Sequence, residues 1–200
     1  MMEVERIENE NFIGIIHSDD SPESPRVWDN LGTMICRHRN YSLGDKHTLD
    51  FSNCSSWKDD EAVIKREYGK DCIMLPLYLY DHSGITMNTT GFSCPWDSGR
   101  VGTIVVSREK ARKNLGKKVI TENVRKQILE YLNGEVETYD KYLTGEVYGY
   151  TITDKDGNDL DSGWGYYGIE DIRDEVNIML EWHNDDYNNV HGIQTELELV

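Results

Sequence analysis

The residues TENVRKQILEYLNGEVETYDKYLTG (121–145) bring an apolar side chain back every three or four positions, at Val124, Ile128, Tyr131 or Leu132, Val136, Tyr139 and Leu143. This is the period of an α-helix with one apolar stripe, and Gly145 is its natural stop. A period of two takes over at once in VYGYTITDKDGNDLDSGWGYYG (147–168), where Tyr148, Tyr150 and Ile152 alternate on one run and Leu160, Trp164 and Tyr166 on the next. Asp156-Gly157 between the runs predicts a β-hairpin that gathers each set on one face. A one-striped helix and an antiparallel ribbon each need a second layer to cover their apolar side. The chain is therefore expected to be α+β, a single domain over residues 1–200 in which a mixed or antiparallel sheet is packed by two main helices, at 121–144 and 169–184.

The remaining segments fit that frame. NFIGIIH (11–17), Leu31–His38 and VGTIVVS (101–107) read as strands, and DDEAVIKREYG (59–69) as a short helix with acids at its start and Gly69 as its stop. CIMLPLYLYDHSGITMN (72–88) has the continuous apolar character of a buried strand, but Pro76 cannot donate a ladder hydrogen bond and implies an edge or a bulge. Residues 1–10 are expected to be flexible, 18–30 to form an ordered loop around Trp28, and IQTELELV (193–200) to form a terminal strand. Twelve Tyr and five Trp argue against a disordered chain. No segment approaches the roughly 18 apolar residues that span a bilayer, and acidic residues follow Met1, so a cytoplasmic protein without membrane contact is expected.

Cys36, Cys54, Cys72 and Cys94 include no closely paired thiols of the kind that grip zinc or exchange a disulfide. Cys36, His38, His47 and Cys54 could be assembled into a metal site only by the fold, and separately buried thiols are the simpler expectation. Asp154, Asp156 and Asn158 superficially resemble a calcium loop, but Gly157 stands at the fourth place and Gly165 at the twelfth, where a bidentate Glu is needed. No metal or cofactor is expected.

The net charge of −16 disfavours direct nucleic-acid binding, which relies on Lys and Arg displacing counterions from phosphates. The charge is uneven. Residues 108–126 hold eight Lys or Arg against two Glu, a net of +6, whereas residues 127–200 hold three against eighteen Asp or Glu, a net of −15. Eight Tyr and two Trp share that acidic segment. Glu135, Glu137, Asp140, Glu170, Asp171, Asp174, Glu175, Asp185 and Asp186, with Trp164, are the candidate partner-binding residues. Clustered carboxylates can imitate the charge spacing of a phosphate backbone, and exposed aromatics add anchoring area. A solvated surface that keeps the chain soluble would have the same composition.

GFSCPWDSG (91–99), close after Asp81-His82-Ser83, is the candidate catalytic segment. Cys94, His82 and Asp97 are the residue types of a thiol nucleophile, its base and an orienting carboxylate. Pro95 removes the backbone N–H that commonly serves the oxyanion just after a nucleophile. The competing reading is a structural turn in which Asp97 and Ser98 bond locally, Gly99 is left-handed and Trp96 plugs the core. Phosphate-cradling glycine motifs, HExxH and GxSxG are absent from the sequence.

SPESPRVWDNLGTMICRHRNYSLGD (21–45), LPLYLYDHSGITMNTTGFSCPWDSGRVGTIVVSREK (75–110) and EVETYDKYLTGEVYGYTITDKDGNDLDSGWGYYG (135–168) resemble a widespread family of phage and prophage accessory proteins. Arg100 departs from the family's DSGQ-like run. The resemblance implies a viral protein acting in the bacterial host cytoplasm outside the virion. It further implies an inhibitor of restriction or CRISPR systems, whose partner is a host defence or nucleic-acid-processing protein.

Overall fold

In the computed structural model, the backbone is described for residues 1–198 and the side chains for residues 1–189. In chain order the elements are β1 (Glu3–Glu8), β2 (Phe12–Ser18), a 3-10 turn (Pro25–Val27), β3 (Thr33–Cys36), α1 (Trp57–Tyr68), β4 (Ile73–Asp81), β5 (Ile85–Asn88), β6 (Ser98–Val106), α2 (Arg108–Asn114), α3 (Glu122–Thr144), β7 (Val147–Asp154), β8 (Asp159–Tyr167) and α4 (Ile169–Glu198). The architecture is α+β with two antiparallel sheets, and the chain divides into two compact units, residues 24–144 and residues 1–23 with 145–200.

In the unit of 24–144 the strand order is β3-β6-β4-β5. β4 alternates Ile73, Leu75, Leu77 and Leu79 toward α3, where Ile128, Leu132, Val136 and Tyr139 are buried, and Cys72 and Met74 toward Ile64 of α1 and Phe51. Apolar layers on both faces explain why the strand reads as one continuous apolar run. Pro76 behaves as its chemistry requires. β5 pairs only with Tyr78–Asp81, so residues 73–77 have a neighbour on one side alone, and the ladder to β6 shifts register between Leu77 and Tyr78. The single strand expected over 72–88 is in fact a hairpin, turned at Ser83-Gly84 with Ser83 at φ 58°. The basic stretch forms α2, capped by the Ser107 hydroxyl accepting from the Lys110 N–H at 3.1 Å.

In the unit of 1–23 and 145–200 the order is β1-β2-β7-β8. One face buries Phe12, Ile16, Tyr150 and Ile152 against Ile172, Val176 and Leu180 of α4. Residues 3–8, expected to be flexible, are a strand in register with β2, and Ile7 packs on this core. Its partner lies across a turn, and pairing of that kind leaves little trace in local alternation. The strand expected at 193–200 is also corrected. α4 is helical through Glu198, where Gln, Glu and Leu favour helix more than the alternation favours strand, and the last two residues lie outside the described residues.

The β7–β8 hairpin forms as expected, but the register shifts between Tyr148 and Gly149 and between Ile152 and Thr153. Gly165, at φ 81°, takes the extra position of the first bulge. Tyr166 consequently packs on the core beside Tyr150, while Trp164 pairs with Gly149 on the opposite face, stacked on His17 at 6.1 Å between ring centroids. A common face for Leu160, Trp164 and Tyr166 is thus overturned, because one bulge inverts the alternation.

Candidate acidic interface on the C-terminal helix

The cysteine segment brings its three candidate residues together in an unproductive order. Asp97 Oδ2 lies 3.6 Å from Cys94 Sγ and 3.5 Å from His82 Nδ1, so the carboxylate stands between thiol and imidazole. A thiol nucleophile needs the imidazole itself as its proton acceptor, with the carboxylate behind the ring. The local-turn reading is also partly corrected. The Ser98 hydroxyl does donate to the Cys94 carbonyl, but Trp96 is 91% exposed and fills no core, and Gly91, at φ 89°, is the left-handed glycine instead of Gly99. The four cysteines are free thiols, and burial pushes the Cys36 thiol up to about 12. Among the described residues no His, Cys, Asp and Glu side chains gather as a metal-binding group. In the β7–β8 turn, the Asp154 carboxylate accepts from the N–H groups of Asp156 and Asn158 and from the Asn158 amide, which holds Asp154 below the usual carboxylate range.

The acidic candidates divide between the two units. Glu135, Glu137 and Asp140 lie on α3, in the unit of 24–144. Glu135 accepts from Arg26 at 3.0 Å and from the N–H groups of Leu31 and Gly32, and Asp140 accepts from the Thr86 hydroxyl and the Met87 N–H. These two carboxylates are therefore structural, which corrects their assignment to an outward surface. Glu137 is exposed and accepts from the Asn133 amide at 2.6 Å.

The other acids and Trp164 belong to the unit of 1–23 and 145–200. By residue type that unit carries three Lys or Arg against twenty-one Asp or Glu, a net of −18, while residues 24–144 carry eighteen against sixteen, a net of +2. On α4, Ile172, Val176 and Leu180 face the sheet. At 100° per residue, Asp171, Asp174, Ile178, Glu181, Trp182 and Asp185 fall on the opposite side, and all six are exposed. Ile178 and Trp182, one turn apart, are 55% and 59% exposed. Glu170 is held by Arg173 at 2.8 Å, Glu175 stands at the flank, and Asp186 is exposed beside the stripe.

The outward stripe combines acids at its ends and edges with an apolar centre, the arrangement of a polar rim around a patch that can be desolvated. Ile178 and Trp182 do not stand out in the sequence, because the buried stripe of Ile172, Val176 and Leu180 accounts for the helical period without them. The signal was present in their i, i+4 spacing between acids. No helix of the described residues is long and apolar enough to cross a membrane. No family model, curated protein or solved structure matches this chain.

Proposed function

We propose that the protein is a non-enzymatic binding protein, a phage counter-defence inhibitor of the anti-CRISPR or antirestriction kind, acting in the bacterial host cytoplasm. Its target is a host nucleic-acid-processing protein, and its acidic surface stands in for nucleic acid. The observation that carries this reading is the outward stripe of α4, where Asp174, Glu181 and Asp185 flank exposed Ile178 and Trp182 on the unit that holds the chain's entire excess of negative charge. Carboxylates spaced along a helix steer toward a basic channel, and the apolar pair supplies anchoring area once contact is made. The Cys94, His82 and Asp97 group takes no part. The test uses purified restriction and CRISPR effectors of the host, with double-stranded DNA as competitor. Binding should weaken with salt and yield to DNA. Reversing Asp174, Glu181 and Asp185 to Lys should weaken it at least about tenfold, whereas reversing Glu10, Asp156 and Asp159 on the same unit should change it little. Equal losses from the two sets in folded variants would leave the acidity as a solvated surface. Binding that DNA does not displace would indicate an interaction module without mimicry.

A further inference from the structure

The cation-rich region of the chain borders an open cavity of about 510 Å³ whose lining lies wholly within the unit of 24–144. Five basic side chains converge on it from separate elements: Lys65 from α1, Lys70 from the turn after it, Arg100 from β6, Arg108 from α2 and Arg125 from α3. Two carboxylates answer them, Glu61 at 3.1 Å from Arg100 and Asp71 at 3.9 Å from Arg108. Lys65, Lys70 and Arg125 have no ion-pair partner among the described residues. Three uncompensated cations around one concavity repel one another, and an anion placed there removes that cost.

Arg100 is the rigid member of the set. Its Nη2 donates to Glu61 and to the Thr103 hydroxyl at 2.9 Å, its Nε donates to the Gly102 carbonyl, and its guanidinium lies over the Trp57 ring at 5.0 Å. The floor is different in kind. Met74, Pro76 and Tyr78 point the same way along β4 at period two, on the stretch where β5 ends and Pro76 leaves the strand edge open. A cationic rim over an apolar and aromatic floor matches a ligand with phosphates at one end and a planar ring at the other, and the volume falls in the range of small-molecule sites.

We infer that this cavity is a nucleotide-binding site, with the phosphates on Lys65, Lys70, Arg108 and Arg125 and the base against Met74, Pro76 and Tyr78. The site rests on the unit of 24–144 alone and is independent of the role given to α4. The net charge of −16 hides it, because the unit that carries it is net positive.

The experiment is an amide chemical-shift titration of the full ¹⁵N-labelled chain with ADP, pyrophosphate and adenosine in separate arms at constant ionic strength. ADP should saturate at or below about 1 mM and bind more tightly than either fragment, with the largest shifts at residues 65–78, 100, 108 and 125. Lys70→Glu with Arg125→Glu should weaken ADP at least about tenfold, and Tyr78→Ala should abolish its advantage over pyrophosphate. Should the double reversal disturb the spectrum of the free protein, the exposed Lys65→Gln provides the same test with a smaller loss. Absence of saturable ADP binding, shifts centred elsewhere, or pyrophosphate binding as tightly as ADP would each overturn the assignment.

Discussion

The two units solve the same packing problem with opposite uses of charge. In residues 24–144 the sheet is covered on both faces, and its best-placed ions are turned inward. Arg26, with its side chain 5% exposed, donates to Asp45 at 2.7 and 3.0 Å and to Glu135 at 3.0 Å. Asp45 also accepts the Met34 N–H. In residues 1–23 and 145–200 one helix covers one face of the sheet, and most carboxylates point to solvent. Buried ions must be matched by partners, so the buried carboxylates of the first unit are set against Arg26 and backbone N–H groups. Exposed ions carry no such demand, which leaves the second unit free to accumulate a net of −18.

The sharpest way to break this contrast is Arg26→Ala. It strands two largely buried carboxylates and removes the clamp that ties the 3-10 turn to Asp45 and to Glu135 of α3, so the unit of 24–144 should lose about 3–5 kcal/mol. Denaturant unfolding of the variant measures the loss. A cost below about 1 kcal/mol would mean that the ions are solvated as freely as those of the other unit.

Residues 18–30 illustrate what a sequence withholds. Its prolines and turn formers mark an ordered loop, and the sequence offers Trp28 as the reason for that order. The structure assigns much of the work to Arg26, which no local pattern distinguishes, because its partners lie 19 and 109 positions away. The long helices, the β7–β8 hairpin and the meaning of Pro76 were legible because each depends on spacing or on a missing donor within a few residues. β1 and the bulge at Gly165 were not, since both depend on register against a paired strand, which local alternation does not record. At the candidate interface, the acidity of the C-terminal part was legible, but the split between structural Glu135 and Asp140 and outward Asp174 and Asp185 was not. Composition counts charges without saying what they touch.

Trp164 gives a test of intermediate size. Beneath a helix, a large aromatic truncated to Ala would cost about 3–5 kcal/mol. Here the residue is 43% exposed on the side of the sheet away from α4, lying on Gly149 and His17, so Trp164→Ala should cost about 1–2 kcal/mol. Thermal unfolding of Trp164→Ala beside Tyr150→Ala, whose residue is buried against α4, should show the larger loss for Tyr150. The reverse order would restore the unbroken alternation that the bulge contradicts.

The smallest expected effect concerns the ion pair that joins β1 to α4, the acidic unit's counterpart of the Arg26 cluster. Arg173 donates to the Glu5 carboxylate through Nε at 2.9 Å and Nη2 at 2.8 Å, and these hydrogen bonds hold Glu5 below its ordinary value of 4.5. A lowered carboxylate pKa stabilises the fold above the unfolded value and loses that contribution as pH falls through the folded one. Both side chains are about one-third exposed, at 32% and 35%, so solvent screening keeps the pair's contribution small. Glu5→Gln should therefore lower the unfolding midpoint slightly at pH 7, and the difference should fade at an acid pH below the lowered native value of Glu5, where the glutamate is itself neutral. Salt at 1 M should shrink the difference at neutral pH as the screening length falls to about 3 Å. If the midpoint difference between the two proteins is the same at both pH values, Glu5 contributes packing alone and the acidic unit has no electrostatic tie between its first strand and its last helix.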